Sequence, residues 1–118
     1  MEQTPDLSPT PVLERLEATI AQRMSADPDT SYVARLNAKG LKKIAQKVGE
    51  EGVETVIAAL AEDDKALVGE AADLIFHLIV LLQAKGLGLA EVCAELARRE
   101  GIGGLAEKAA RKEQDHAD

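Results

Sequence analysis

Two pairs of acids carry the chemistry open to this chain: Glu51 with Glu54, and Glu70 with Asp73. Each pair is spaced i, i+3 in a stretch that reads as helix, so its side chains lie about 60° apart around the axis and share a face. Two such faces brought together make a pocket of four carboxylates. Acids that close repel one another, and they persist at a folded site when a hard cation such as Mg²⁺ neutralises them. The pattern therefore predicts metal ligation by Glu51, Glu54, Glu70 and Asp73.

The elements that must position these acids read as a run of helices. Residues 1–10, with Pro5 and Pro9 among polar neighbours, read as a disordered leader ahead of a single domain over 11–112, and 113–118 as a polar tail. A first helix starts at Thr10-Pro11 and carries one apolar stripe, Leu13, Leu16, Ile20 and Met24. Thr30-Ser31 caps a short helix that ends near Gly40. The third helix, about 41–61, has apolar residues over more than half its circumference and is expected to be buried by several neighbours. Its remaining wedge holds Lys43, Lys47, Glu50, Glu51 and Glu54. Lys47 and Glu51 also read as an ordinary i,i+4 pair, though in the weaker Lys-before-Glu order.

An acidic turn at Glu62-Asp63-Asp64 caps a fourth helix that stops at Gly86. Its second half, Leu74 to Leu82, is apolar almost all round apart from His77, and isologous pairing in a homodimer is the simplest way to cover it. Carboxylates are rarely buried without a partner, so Glu70 and Asp73 on so oily a helix again point to a metal. Mg²⁺ prefers oxygen, so His77 reads first as a core histidine that orients Asp73 or bonds a backbone carbonyl, with direct ligation as the alternative. A further helix, about 89–100, is expected to bury Val92, Cys93 and Leu96, with Cys93 as packing. A last short helix carries Lys108, Arg111 and Lys112.

Composition agrees with an all-α fold, a bundle of four to five helices completed by homodimerisation. The 118 residues include one Phe, one Tyr and no Trp, and no alternating strand-like run stands out. A net charge of −7 argues against a nucleic-acid surface. The single cysteine allows no intrachain disulfide, and the N-terminus has no signal-peptide pattern, so a cytoplasmic address is expected. The longest apolar run, nine residues broken by His77, is too short to span a bilayer, and no membrane partner is expected.

The pattern Glu50-Glu51-x-x-Glu54, then Glu70-x-x-Asp73, resembles the signature of the all-α nucleoside triphosphate pyrophosphatases, the MazG-like superfamily. Ser31-Tyr32, Leu36 to Gly40, Lys43, Lys47-Val48-Gly49-Glu50-Glu51, His77-Leu78 and the segment from Ile102 to Arg111 are similar to the phosphoribosyl-ATP pyrophosphatase family within it. Gly103 stands where that family's pattern has a serine. The resemblance implies Mg²⁺-dependent hydrolysis of the α–β phosphoanhydride of phosphoribosyl-ATP in histidine biosynthesis. It implies Glu50 as the group that takes a proton from water or orients it, and Lys43 and Lys47 as contacts to the departing phosphates. Arg35, Ser31 and Tyr32 are then candidates for the substrate side, with Lys39, Lys108 and Arg111 behind them. Arg35 and Lys39 also read as a solvated basic face.

Two other readings stay open. A house-cleaning pyrophosphatase of non-standard nucleotides would use the same acids, although few aromatics are present to stack a free base. A non-catalytic helical assembly protein would use them as salt-bridge partners. A di-iron carboxylate bundle is disfavoured because it needs Glu-x-x-His pairs, and His77 lies four residues from Asp73.

Overall fold

Every regular element among the described residues, 9–100 and 111–112 of this computed structural model, is an α-helix. In chain order these are α1 (Pro9–Arg23), α2 (Tyr32–Lys39), α3 (Leu41–Ala61), α4 (Asp64–Ala84) and α5 (Leu89–Arg99). The all-α expectation is met. The chain divides into two compact units, Met1–Gly88 and Leu89–Asp118.

Local chemistry sets the boundaries. Helix α1 begins at Pro9, two residues before the expected start, because proline at residues 9 and 11 costs nothing in a first turn whose N–H groups have no helical partner. Ser31 caps α2, its Oγ accepting the Ala34 N–H at 3.2 Å, and Asp63 caps α4 by accepting the Ala66 N–H at 2.8 Å. Gly40 ends α2 and opens α3 at φ 102°, a conformation that side chains with a Cβ rarely adopt. Gly86 (φ 75°) closes α4: its N–H donates to Gln83 O at 3.0 Å and the Leu87 N–H donates to Leu82 O at 2.8 Å, the Schellman pattern.

Helices α3 and α4, 21 residues each, are joined by Glu62 and Asp63 alone and pack on each other as a helical hairpin. Helix α2 packs on both, and α1 lies against α4 and α2. The buried core comprises Ile20, Val33, Ala34, Leu36, Ile44, Ala58, Ile79 and Val80.

The expected burial of α3 on several sides is not met within the protomer. Only Ile44, Glu51 and Ala58 are buried on it. Val53, Val56, Ile57 and Leu60, a stripe at i, i+3, i+4 and i+7, stay exposed, Leu60 at 83%. A matching stripe on α4 leaves Val68, Ile75 and Leu78 exposed. One hairpin with two short partners has too few neighbours to cover both stripes.

By length and composition alone, α4 as a whole could cross a membrane, which the nine-residue count had not allowed. Glu70 and Asp73 near its middle, however, meet acids of α3. In the second unit, α5 does not bury the expected face: Cys93 and Leu96 are exposed. Glu95 instead ties α5 together, accepting from Arg98 Nη2 at 2.7 Å and Arg99 Nε at 3.1 Å, and both arginines hold its pKa down at about 2. Of the expected last helix, residues 101–110, with Lys108, lie outside the described residues, and Arg111 and Lys112 are helical.

Candidate metal centre

The hairpin explains why a fixed gap between two acid pairs makes one site. Glu54 lies eight residues before Glu62, and Glu70 seven after Asp63; Glu51 lies eleven before, and Asp73 ten after. In an antiparallel hairpin, residues whose distances from the turn differ by no more than one stand nearly level. Glu54 therefore meets Glu70, and Glu51 meets Asp73. One carboxylate oxygen each from Glu51, Glu70 and Asp73 lies within 4.8 Å of the other two. Glu54 stands beside them, close enough for its carboxyl to raise the pKa of Glu70 and Glu51. The structure thus clusters Glu51, Glu70 and Asp73, with Glu54 alongside.

The electrostatics are those of crowded acids short of positive charge. Glu70 is pushed up to about 7, first by the Glu54 carboxyl, then by burial, with Glu51 adding to it. Glu51, only 6% exposed, is raised by burial and by Glu54 and Asp73, with Lys47 pulling the other way. Ionised carboxylates can only accept, so neighbouring ones cannot satisfy one another. Glu51 Oε2 and Glu70 Oε2 are accordingly buried without a hydrogen-bond partner. All-oxygen donors, excess negative charge and two orphaned oxygens fit a hard divalent cation.

The flanking residues divide. Lys47 Nζ lies 3.7 Å from Glu50 Oε2 and 3.9 Å from Glu51 Oε1, at the edge of the cluster. Glu50 stands apart from the four. It accepts from Gln46 Nε2 at 2.6 Å, and that bond, with Lys47 and Lys43, lowers its pKa. Gln46 went unnoticed in the sequence, although its i,i+4 spacing to Glu50 is a usable signal. Lys43 is half-buried on the same helix.

Arg35 is not brought to the acids: Nε donates to Pro28 O at 3.1 Å and Nη2 approaches Asp29 O at 3.5 Å, pinning the turn before α2. Ser31 spends its hydroxyl on the cap. Tyr32 is half-exposed, and its hydroxyl reaches His77 Nε2 at 2.8 Å. As expected, His77 bonds a backbone carbonyl, with Nδ1 2.9 Å from Asp73 O. Both ring nitrogens are engaged, which leaves none for a metal.

An all-α hairpin with clustered acids and Lys47 at their edge defines a candidate divalent-metal centre for phosphate chemistry. The model of the family described as phosphoribosyl-ATP pyrophosphohydrolase matches residues 13–100. A phosphoribosyl-ATP pyrophosphatase of Novosphingobium aromaticivorans is 75% identical over 100 residues, covering 85% of this chain and 94% of the relative. Proteins of the same name from Erythrobacter litoralis (72% over 99 residues, 84% and 95% covered) and Rhizorhabdus wittichii (66% over 102 residues, 86% and 96% covered) are also similar. The chain belongs to the phosphoribosyl-ATP pyrophosphohydrolase family.

Proposed function

We propose that this chain hydrolyses the α–β phosphoanhydride of phosphoribosyl-ATP to phosphoribosyl-AMP and pyrophosphate, in histidine biosynthesis, with Mg²⁺ as its cofactor. The observation that carries the reading is the pair of buried, unpartnered oxygens, Glu51 Oε2 and Glu70 Oε2, inside a four-acid cluster on a chain of this family. Glu51, Glu54, Glu70 and Asp73 would hold the cation. Mg²⁺ held there supplies positive charge to the phosphoryl oxygens and acidity to water.

The chain's own groups do the rest. Lys47, between Glu50 and Glu51, and Lys43, one turn earlier, offset the charge that builds on the departing pyrophosphate. Glu50 is better suited to holding Lys47 than to taking a proton, because a lowered pKa makes a weaker base. Tyr32 offers a half-exposed ring face to the nucleotide side, and Ser31 sets the start of the helix that bears it.

The exposed stripes of α3 and α4 support a homodimer, since monomers rarely expose contiguous apolar patches of that extent. A cytoplasmic location belongs to the same proposal. Pyrophosphate release from phosphoribosyl-ATP, compared with a panel including dUTP and dCTP and run with and without Mg²⁺, tests the reading. Strong Mg²⁺-dependent turnover of phosphoribosyl-ATP alone is expected. Preference for the free nucleotides would replace it with the house-cleaning activity.

A further inference from the structure

His77 is a buried histidine with every polar contact defined. A carbonyl oxygen can only accept, so the 2.9 Å contact to Asp73 O means that Nδ1 carries the proton. In the neutral ring Nε2 is then an acceptor, and the Tyr32 hydroxyl donates to it at 2.8 Å. The two rings meet edge to face, 5.7 Å between centroids, and Phe76 meets the imidazole edge to face at 5.3 Å while lying 6.2 Å from the Tyr32 ring. The Asp73 carbonyl thus sets the tautomer from within α4, and Tyr32 of α2 adds the second anchor that fixes the ring from outside the hairpin.

That orientation matters for Glu51. His77 Nδ1 lies 3.7 Å from Glu51 Oε1, too long for a hydrogen bond but close enough for its N–H dipole to be felt. Lys47 approaches the same oxygen at 3.9 Å. The two carboxylate oxygens thus differ: Oε1 faces donors, while Oε2 is buried and without a partner. We infer that Tyr32 and His77 form a positioning pair that holds Glu51 by its Oε1 side and presents Oε2 to the cation, so that α2 controls metal affinity without touching the metal. The inference rests on the metal reading of the four acids. Partners of this kind typically contribute about 10–100-fold to metal affinity.

The test is Mn²⁺ binding, followed by electron paramagnetic resonance, to the full-length wild-type chain and to Tyr32→Phe, His77→Asn, His77→Gln and the Tyr32→Phe/His77→Asn double variant. Tyr32→Phe removes one hydroxyl and is expected to weaken Mn²⁺ binding by about tenfold. Asn keeps a donor near the Nδ1 position and Gln keeps a group near Nε2. His77→Asn keeps the Nδ1-side donor but loses the bond to Tyr32, so it should bind about tenfold more weakly, like Tyr32→Phe, with no further loss in the double variant. His77→Gln, without that donor, should also bind about tenfold or more weakly. A role limited to docking α2 on α4 predicts wild-type affinity in His77→Gln. Mn²⁺ affinity unchanged in Tyr32→Phe overturns the inference, and that variant decides alone if the His77 variants do not fold. Failure of the wild-type chain to bind Mn²⁺ overturns the metal reading itself.

Discussion

A cation entering this cluster should displace protons, and the crowding of the acids sets how many. Glu70 titrates at about 7 because the Glu54 carboxyl beside it, burial and then Glu51 all favour its neutral form. At that pKa the carboxyl is about half protonated at pH 7, about nine-tenths at pH 6 and about one-tenth at pH 8. A cation needs the ionised form, so Mg²⁺ binding should release about half a proton per protomer from Glu70 at pH 7, approaching one at pH 6 and falling toward zero at pH 8. Glu51, also raised, adds to the release. Apparent affinity should fall up to about tenfold per pH unit below 7 through Glu70, with Glu51 acting in the same direction. Isothermal titration calorimetry in buffers of different ionisation heat counts the protons directly. Stability carries the same signature. The folded pKa of Glu70 lies above the 4.5 usual for a glutamate, so the native chain holds the extra proton between about 4.5 and 7. Metal-free stability should fall as pH rises through that window, and saturating Mg²⁺ should remove the trend. No proton release at pH 7, or release that grows with pH, would refute the reasoning.

Three further outcomes are expected. Glu51→Gln or Asp73→Asn should abolish measurable turnover and weaken Mg²⁺ binding by at least about 100-fold, with helical content by circular dichroism intact. Normal activity in either would remove the metal assignment. Glu50→Gln should leave Mg²⁺ affinity nearly unchanged and cost no more than about tenfold in rate through a looser Lys47; a loss beyond about 100-fold at constant KM would restore the general-base role. Ile57→Asp, in the middle of the exposed α3 stripe, should convert a dimer to monomers in light scattering, and an unchanged mass would locate the interface elsewhere.

Much of this protein is legible along the chain, because much of it is local. Ser31, Asp63 and Gly86 mark helix ends by bonds that reach no more than five residues. The acid cage is nearly local too. A two-residue turn between helices of equal length leaves little freedom in register, so the spacing of Glu51, Glu54, Glu70 and Asp73 already decides that they meet. His77 could be assigned to a backbone carbonyl because that partner is one turn away in its own helix.

What tertiary structure alone decided depends on where separate elements land. The Tyr32–His77 bond joins residues 45 apart and exists only because α2 packs against the hairpin. Arg35 looked free to reach a phosphate, yet it turns back onto the Pro28 and Asp29 carbonyls, because the loop before α2 folds over its own helix. The apolar breadth of α3 and the stripe through Cys93 on α5 both suggest core, yet Val53, Val56, Ile57 and Leu60 on α3 and Cys93 and Leu96 on α5 are exposed in the protomer. Hydrophobicity records that a face avoids water; it does not record which surface covers it. The pKa of Glu70 is likewise no property of its position in the chain, since it follows from the distance to charges on another helix.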